Sequence, residues 1–187
     1  MADAFKDRLE KSLNAIKQEF EGEKKIEVKE KNMLVGFNGY KKAIDLADVV
    51  ILATPPGFRP LHFKYAINQD KHVFMEKPVA TDAHGVRQVL ETAKVANQKK
   101  LNVVVGLQRR YQYSYLNILK QVRRGVIGKI TSGQVRWNSS GVWVKERQPN
   151  QTEMEYQMRN WYYFNWLCGD HIVCLLYTSD AADDLWC

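Results

Sequence analysis

Cysteine is scarce in this chain: Cys168, Cys174 and Cys187 are the only three, and all fall near the C-terminal end of the 187 residues. No disulfide framework can close over the long stretch before them, so nothing requires an oxidising compartment. Apolar runs are short, none approaching the roughly 18 residues of a membrane span. The charged opening Met1-Ala2-Asp3-Ala4-Phe5-Lys6-Asp7 lacks the apolar middle of a signal peptide. No membrane partner is expected, and the compartment stays open, cytoplasmic if no leader precedes this sequence. Internal repeats and low-complexity segments are absent too, and no metal site is expected.

The length suits one sizeable domain, or one domain and the start of another. Lysine and arginine outnumber aspartate and glutamate by 28 to 21, a net charge of +7 spread along the chain instead of gathered into a block. That balance favours anionic ligands only weakly.

Apolar periodicity gives the organisation. Phe5, Leu9, Leu13, Ile16 and Phe20 recur at three- and four-residue steps, predicting an amphipathic helix from Ala4 to Phe20 with one face on a sheet. Asp48 to Ala53 is a β-branched run ended by Thr54-Pro55-Pro56-Gly57, the pattern of a buried strand. Pro60 to Asn68 reads as a helix and His72 to Met75 as a strand. Asp82 is expected to cap a helix running to Asn97, and Leu101 to Val105 reads as a third strand. This β-α-β-α-β alternation of apolar strands predicts a parallel sheet covered on both faces. Beyond it come an expected helix from Tyr113 to Arg124, a turn at Gly125 and Gly128, a strand from Lys129 to Asn138, and a loop over Ser139 to Tyr156. A second domain is expected to begin near Tyr111.

Ligands of an open parallel sheet sit at the carboxyl ends of its strands, which directs attention to three segments. Thr54-Pro55-Pro56, with His62 further on, is either a plain strand-ending turn or a place where the threonine hydroxyl meets a ligand. Glu76-Lys77-Pro78 puts an ammonium group where an apolar strand meets its loop, with proline restricting the residue before it. Taken alone it could be a solvated salt bridge, but the strand His72 to Met75 feeds straight into the charge. Gly106-Leu107-Gln108-Arg109-Arg110-Tyr111 offers an amide and two guanidiniums suited to phosphate or carboxylate, or to interdomain ion pairs. The aromatic cluster Trp161, Tyr162, Tyr163, Phe164 and Trp166 reads as packing in preference to a sugar-stacking platform.

Together with Arg159-Asn160-Trp161-Tyr162, these segments resemble, over about Asp3 to Val173, the Gfo/Idh/MocA oxidoreductases, named for glucose-fructose oxidoreductase and inositol dehydrogenase. The resemblance implies an α/β chain: a partial Rossmann-type dinucleotide-binding domain over residues 1–110, then the start of an α/β (α+β) substrate and oligomerisation domain over 111–173. It implies NAD or NADP as cofactor, a sugar, polyol or related alcohol as substrate, and a homo-oligomeric parent protein. Lys77 is the catalytic residue it implies. Asp3, Thr54, Pro55, His62, Glu76, Lys77, Pro78, Gln108 and Arg110 are the residues it implies at the cofactor.

Departures from the family pattern accompany the match. No Gly-x-Gly-x-x-Gly occurs anywhere, Gly36 with Gly39 and Gly125 with Gly128 being wrongly spaced. The start therefore resembles an internal one, lacking the first strand, the glycine loop and the second strand, and this chain alone is expected to be inactive and poorly soluble. The family's acid-base histidine is missing after Val173, and His171 comes too early to replace it. Cys174 to Cys187, which holds no lysine or arginine, is read as a non-native tail. Two other readings stay open: an NAD-dependent glycosidase of the same family, and a non-catalytic interaction or polyanion-binding domain using Arg109, Arg110, Arg123 and Arg124. No nucleic-acid motif accompanies those arginines, so a nucleic-acid partner is not expected.

Overall fold

The computed structural model describes residues 1–21, 26–134, 136, 138 and 140–170. The short strand β1 (Ala2–Asp3) lies parallel to β2 (Leu34–Val35). Between them runs helix α1 (Lys6–Glu19). The Asp3 carboxylate accepts from the Phe5 amide at 2.8 Å, fixing the entry to that helix. Its Leu9 and Leu13 are buried as the periodicity predicts, while Ile16, and Phe20 just past its end, stay partly exposed.

Helix α2 (Gly39–Asp45) leads to a second, three-stranded parallel sheet of β3 (Val49–Leu52), β4 (His72–Glu76) and β5 (Val103–Gly106), in that order. Helices α3 (Arg59–Asn68) and α4 (Ala83–Gln98) make the crossovers. The Asp82 side chain accepts from the Gly85 amide at 2.6 Å, the expected cap of α4. Pairing of Val50 with Val73, and of Leu52 with Met75, puts these four side chains on one face. There they meet Phe63, Ala66 and Ile67 of α3 with Val89 and Ala96 of α4, which form the core.

The opposite face corrects the expectation of a doubly covered sheet. In-register neighbours Ile51, Phe74 and Val104 point away from α3 and α4. Ile51 is 72 % exposed and Val49 61 %. Both crossover helices lie on the core face, so apolarity on both sides of a strand did not mean that both sides are buried here.

Past β5, α5 (Gln108–Tyr111) and α6 (Tyr113–Arg123) follow, and α6 buries none of its residues. No described residue between Lys129 and Asn138 is in a strand, contrary to expectation. A strand needs a neighbour for its ladder hydrogen bonds, and none of β1 to β5 pairs with the described residues of this segment, residues 135 and 137 lying outside them. Instead the chain forms α7 (Glu153–Arg159) and α8 (Asn165–Cys168) and returns to the first half. Arg159 pairs with both Asp7 carboxylate oxygens at 3.0 and 3.1 Å and lies 4.0 Å from the centre of the Phe5 ring. His171 and the Cys174–Cys187 tail lie outside the described residues. Among the described residues, no helix is long and apolar enough to cross a membrane.

The two sheet faces should respond differently to substitution. Phe63→Ala in the sealed core is expected to cost about 3–5 kcal/mol of unfolding free energy, whereas Ile51→Thr on the open face should change it by under about 0.5 kcal/mol. Urea unfolding followed by circular dichroism measures both, and equal losses would contradict the one-sided packing.

Candidate functional site

The carboxyl ends of β3, β4 and β5 bring the three polar segments to one edge of the sheet. After β3, Thr54 and Pro55 lead into a tight turn over Pro56–Phe58, which runs directly into α3. The Thr54 hydroxyl, for which the sequence left a plain turn and a ligand contact both open, has a partner within the protein. It lies 3.1 Å from His62 Nδ1 in a hydrogen bond whose direction depends on the histidine tautomer. A hydroxyl has three hydrogen-bonding positions, so Thr54 keeps capacity for a further partner.

His62 itself is buried, stacked on Tyr40 at 4.0 Å and flanked by Phe58 of the preceding turn at 6.1 Å. Burial lowers its pKa from the ordinary 6.5 to about 4, with the nearby Arg59 guanidinium pushing the same way. His62 is thus a neutral imidazole near pH 7, able to accept or donate one hydrogen bond without carrying charge.

At the end of β4 the Glu76 carboxylate is exposed, Lys77 is half-buried and Pro78 is buried behind a cis peptide bond. Glu76 pairs in register with Gly106 of β5. A β-carbon at position 106 would sit 3.1 Å from both Glu76 carboxylate oxygens. The missing side chain leaves room for that carboxylate beside the end of β5.

Gln108 opens α5 on the surface. Arg110 lies elsewhere, lining a cleft of about 380 Å³ with Leu116, Leu119, Lys120, Arg123 and Arg124. None of Thr54, His62, Glu76 or Lys77 borders that cleft. Arg109 packs over Tyr115 and bonds Gln112. Asp3 belongs to the two-stranded sheet, its carboxylate already engaged by the Phe5 amide. The structure therefore gathers Thr54, Pro55, His62, Glu76, Lys77 and Pro78 about adjoining strand ends, with Gln108 following the third, and holds Asp3 and Arg110 on other elements.

The sequence reading missed Arg59. Only 2 % exposed, it donates from Nη1 to the Glu76 carbonyl at 2.6 Å and to the Pro78 carbonyl, and from Nη2 to the Thr54 carbonyl. All these acceptors are main-chain oxygens, which leave no mark on a sequence. An arginine immediately before Pro60 at the start of an apolar helix was the one available signal. Gly57 was missed as well. A β-carbon there would collide with the Trp166 carbonyl and approach Leu167 Cα at 3.3 Å, so its absence lets α8 rest on the Thr54 loop. The aromatic residues after Arg159 pack among themselves and onto that loop, Trp143 against Trp161 at 5.8 Å and Phe58 against Trp166 at 6.1 Å. No group of three or more potential metal ligands occurs among the described residues.

Residues 4–107, more than half of the chain, match the oxidoreductase family described by its NAD-binding Rossmann fold, GFO_IDH_MocA. An oxidoreductase of Formosa agariphila is 34 % identical over 92 residues, covering 49 % of this chain and 28 % of that protein. The NADP(+)-linked scyllo-inositol 2-dehydrogenase of Bacillus subtilis is 36 % identical over 93 residues, again 49 % of this chain and 25 % of the relative. Among solved structures, scyllo-inositol dehydrogenase from Lactobacillus casei with bound NAD(H) and scyllo-inositol superposes with a TM-score of 0.51. Its identity is 26 %, covering 70 % of this chain and 34 % of that one. The matches thus span about a third or less of these relatives' lengths.

Burial of a neutral His62 makes stability depend on pH. Its pKa is lower folded than unfolded, so above about pH 6.5 neither state is protonated there and the group has no effect. As pH falls from 6.5 towards 4 the unfolded chain takes up a proton that the folded chain refuses, and stability drops by about 2 kcal/mol at pH 5. Denaturant unfolding at pH 7.5 and pH 5 should show this loss, and His62→Gln should remove most of it. An unchanged slope in that variant would assign the loss to other groups.

Proposed function

Because the chain belongs to the Gfo/Idh/MocA oxidoreductase family with its NAD-binding Rossmann fold, we propose that its strand-end cluster is the nicotinamide-side part of a site for NAD or NADP. In the same reading the whole protein moves a hydride between that cofactor and a hydroxyl-bearing carbon of a sugar, polyol or related alcohol. Residues 1–110 form the cofactor-binding part and residues 111–173 the beginning of the substrate-binding part. The observation that carries the proposal is the position of Lys77, half-buried and directly following the central strand β4, whose end adjoins the β3 end that leads to the His62–Thr54 pair.

The groups fit one end of a dinucleotide and not the other. A carboxylate, a hydroxyl and an ammonium group at one sheet edge suit the hydroxyls of a ribose and of an alcohol substrate, with Pro55 and Pro78 shaping the backbone between them and Gln108 adding an amide. The glycine loop that would cradle a pyrophosphate is not in this sequence. Asp3 would serve the adenosine ribose and Arg110 a phosphate only if their present partners allowed it.

When bound, the oxidised nicotinamide supplies the hydride acceptor. The chain's own contribution is at the alcohol oxygen. Hydride leaves a carbinol carbon only as the hydroxyl proton is lost, and the Lys77 ammonium stabilises the negative charge that develops there. Neutral His62 holds the Thr54 hydroxyl in place without adding a second positive charge beside the site. The uncovered apolar residues of α6, such as Tyr113 and Ile118, are consistent with a homo-oligomeric whole protein.

Titrating NADH and NADPH into this chain by ligand-observed NMR tests the reading. The expected dissociation constant is millimolar, since the pyrophosphate has no cradle. Lys77→Ala should weaken it about tenfold, the effect of losing one charge-assisted hydrogen bond. Equal binding by wild type and Lys77→Ala would remove Lys77 from the cofactor site.

A further inference from the structure

Arg59 is the most deeply buried charged side chain described, and its partners are arranged around one residue. Its Nη1 meets the carbonyls of Glu76 and Pro78, the residues directly before and after Lys77. The peptide unit that enters Lys77 and the one that leaves Pro78 are thereby held by a single nitrogen, so the Lys77-Pro78 segment is fixed at both ends. Through Nη2 the same guanidinium holds the Thr54 carbonyl on the neighbouring strand end.

The base of this clamp is rigid. Arg59 is the first residue of α3, whose Phe63, Ala66 and Ile67 have no exposed surface at all. A planar guanidinium presents its donors in fixed relative directions, whereas a lysine ammonium is one nitrogen on a flexible stem. The core helix thus transmits its own position to two loops at once.

We propose that Arg59 is a positioning residue for Lys77, setting the direction of its side chain and its separation from Thr54 through the three carbonyls. The inference rests on the reading of Lys77 as the residue that acts on the substrate oxygen. Arg59 touches neither cofactor nor substrate in this role. It acts by fixing the backbone from which the working group projects, where an error of about 1 Å can cost roughly a hundredfold in rate.

The experiment observes Lys77 directly and needs no cofactor. Reductive methylation with ¹³C-formaldehyde gives each lysine an NMR signal, and Lys77→Arg identifies the one sought. In the wild-type chain the Lys77 signal should stand apart from those of exposed lysines. In folded Arg59→Lys it should lose that separation, while a core variant of similar stability loss, Ile67→Val or Ile67→Ala, should leave it unmoved. A Lys77 signal unchanged in folded Arg59→Lys, or one that moves equally in the core variant, overturns the proposal. So does a wild-type signal already merged with the exposed set.

Should Arg59→Lys fail to fold, the wild-type chain decides. Slow solvent exchange of the Arg59 Nη protons, with cross-peaks to the residues around Lys77, supports the clamp, and exchange as fast as at exposed arginines overturns it. Loss of NADH binding in Lys77→Ala is a separate result. If that loss is absent while the Lys77 signal still depends on Arg59, the functional reading fails and the mechanical coupling stands.

Discussion

A guanidinium taken out of water loses hydration worth several kcal/mol and persists in a protein interior only where acceptors replace the water. Arg59 meets that requirement with main-chain carbonyls from two different loops. Those loops cannot move independently once their oxygens share one planar cation. The turn after β3, the turn after β4 and the start of α3 behave as one piece. The same positive charge also helps to keep His62 neutral, so the clamp sets the electrostatics of its surroundings as well as their geometry.

Much of this was legible beforehand. The β-α-β-α-β core showed itself through four- to six-residue apolar strands and long helices with clear periodicity, and Asp82 announced the start of α4. β1 and β2 escaped notice because two-residue strands have no period to detect. The start of helix α7 was hidden inside an expected loop, although Thr152-Glu153-Met154-Glu155 carries the spacing of a capping box and the Thr152 hydroxyl does accept from the Glu155 amide. The strand expected over Lys129–Asn138 rested on local composition, and pairing depends on neighbours that composition does not describe.

The site followed the same division. Thr54, His62, Glu76 and Lys77 were singled out because strand ends in a parallel sheet are where ligands bind, and their order along the chain matched a family. What the sequence could not convey were relations running through the backbone. The carbonyls that hold Arg59 and the close approach of α8 to Gly57 depend on three-dimensional neighbours alone. His62 was read as bordering a ligand, and the structure adds that its ring is also stacked and bonded within the protein.

The bare α-carbon of Gly106 has a consequence for how this edge can change over generations. Glu76 spreads its carboxylate over the space that a side chain on the neighbouring strand would fill. Positions 76 and 106 are accordingly coupled in what they tolerate. A side chain gained at 106 would have to push the exposed Glu76 carboxylate aside, and so would shift the acid next to the lysine.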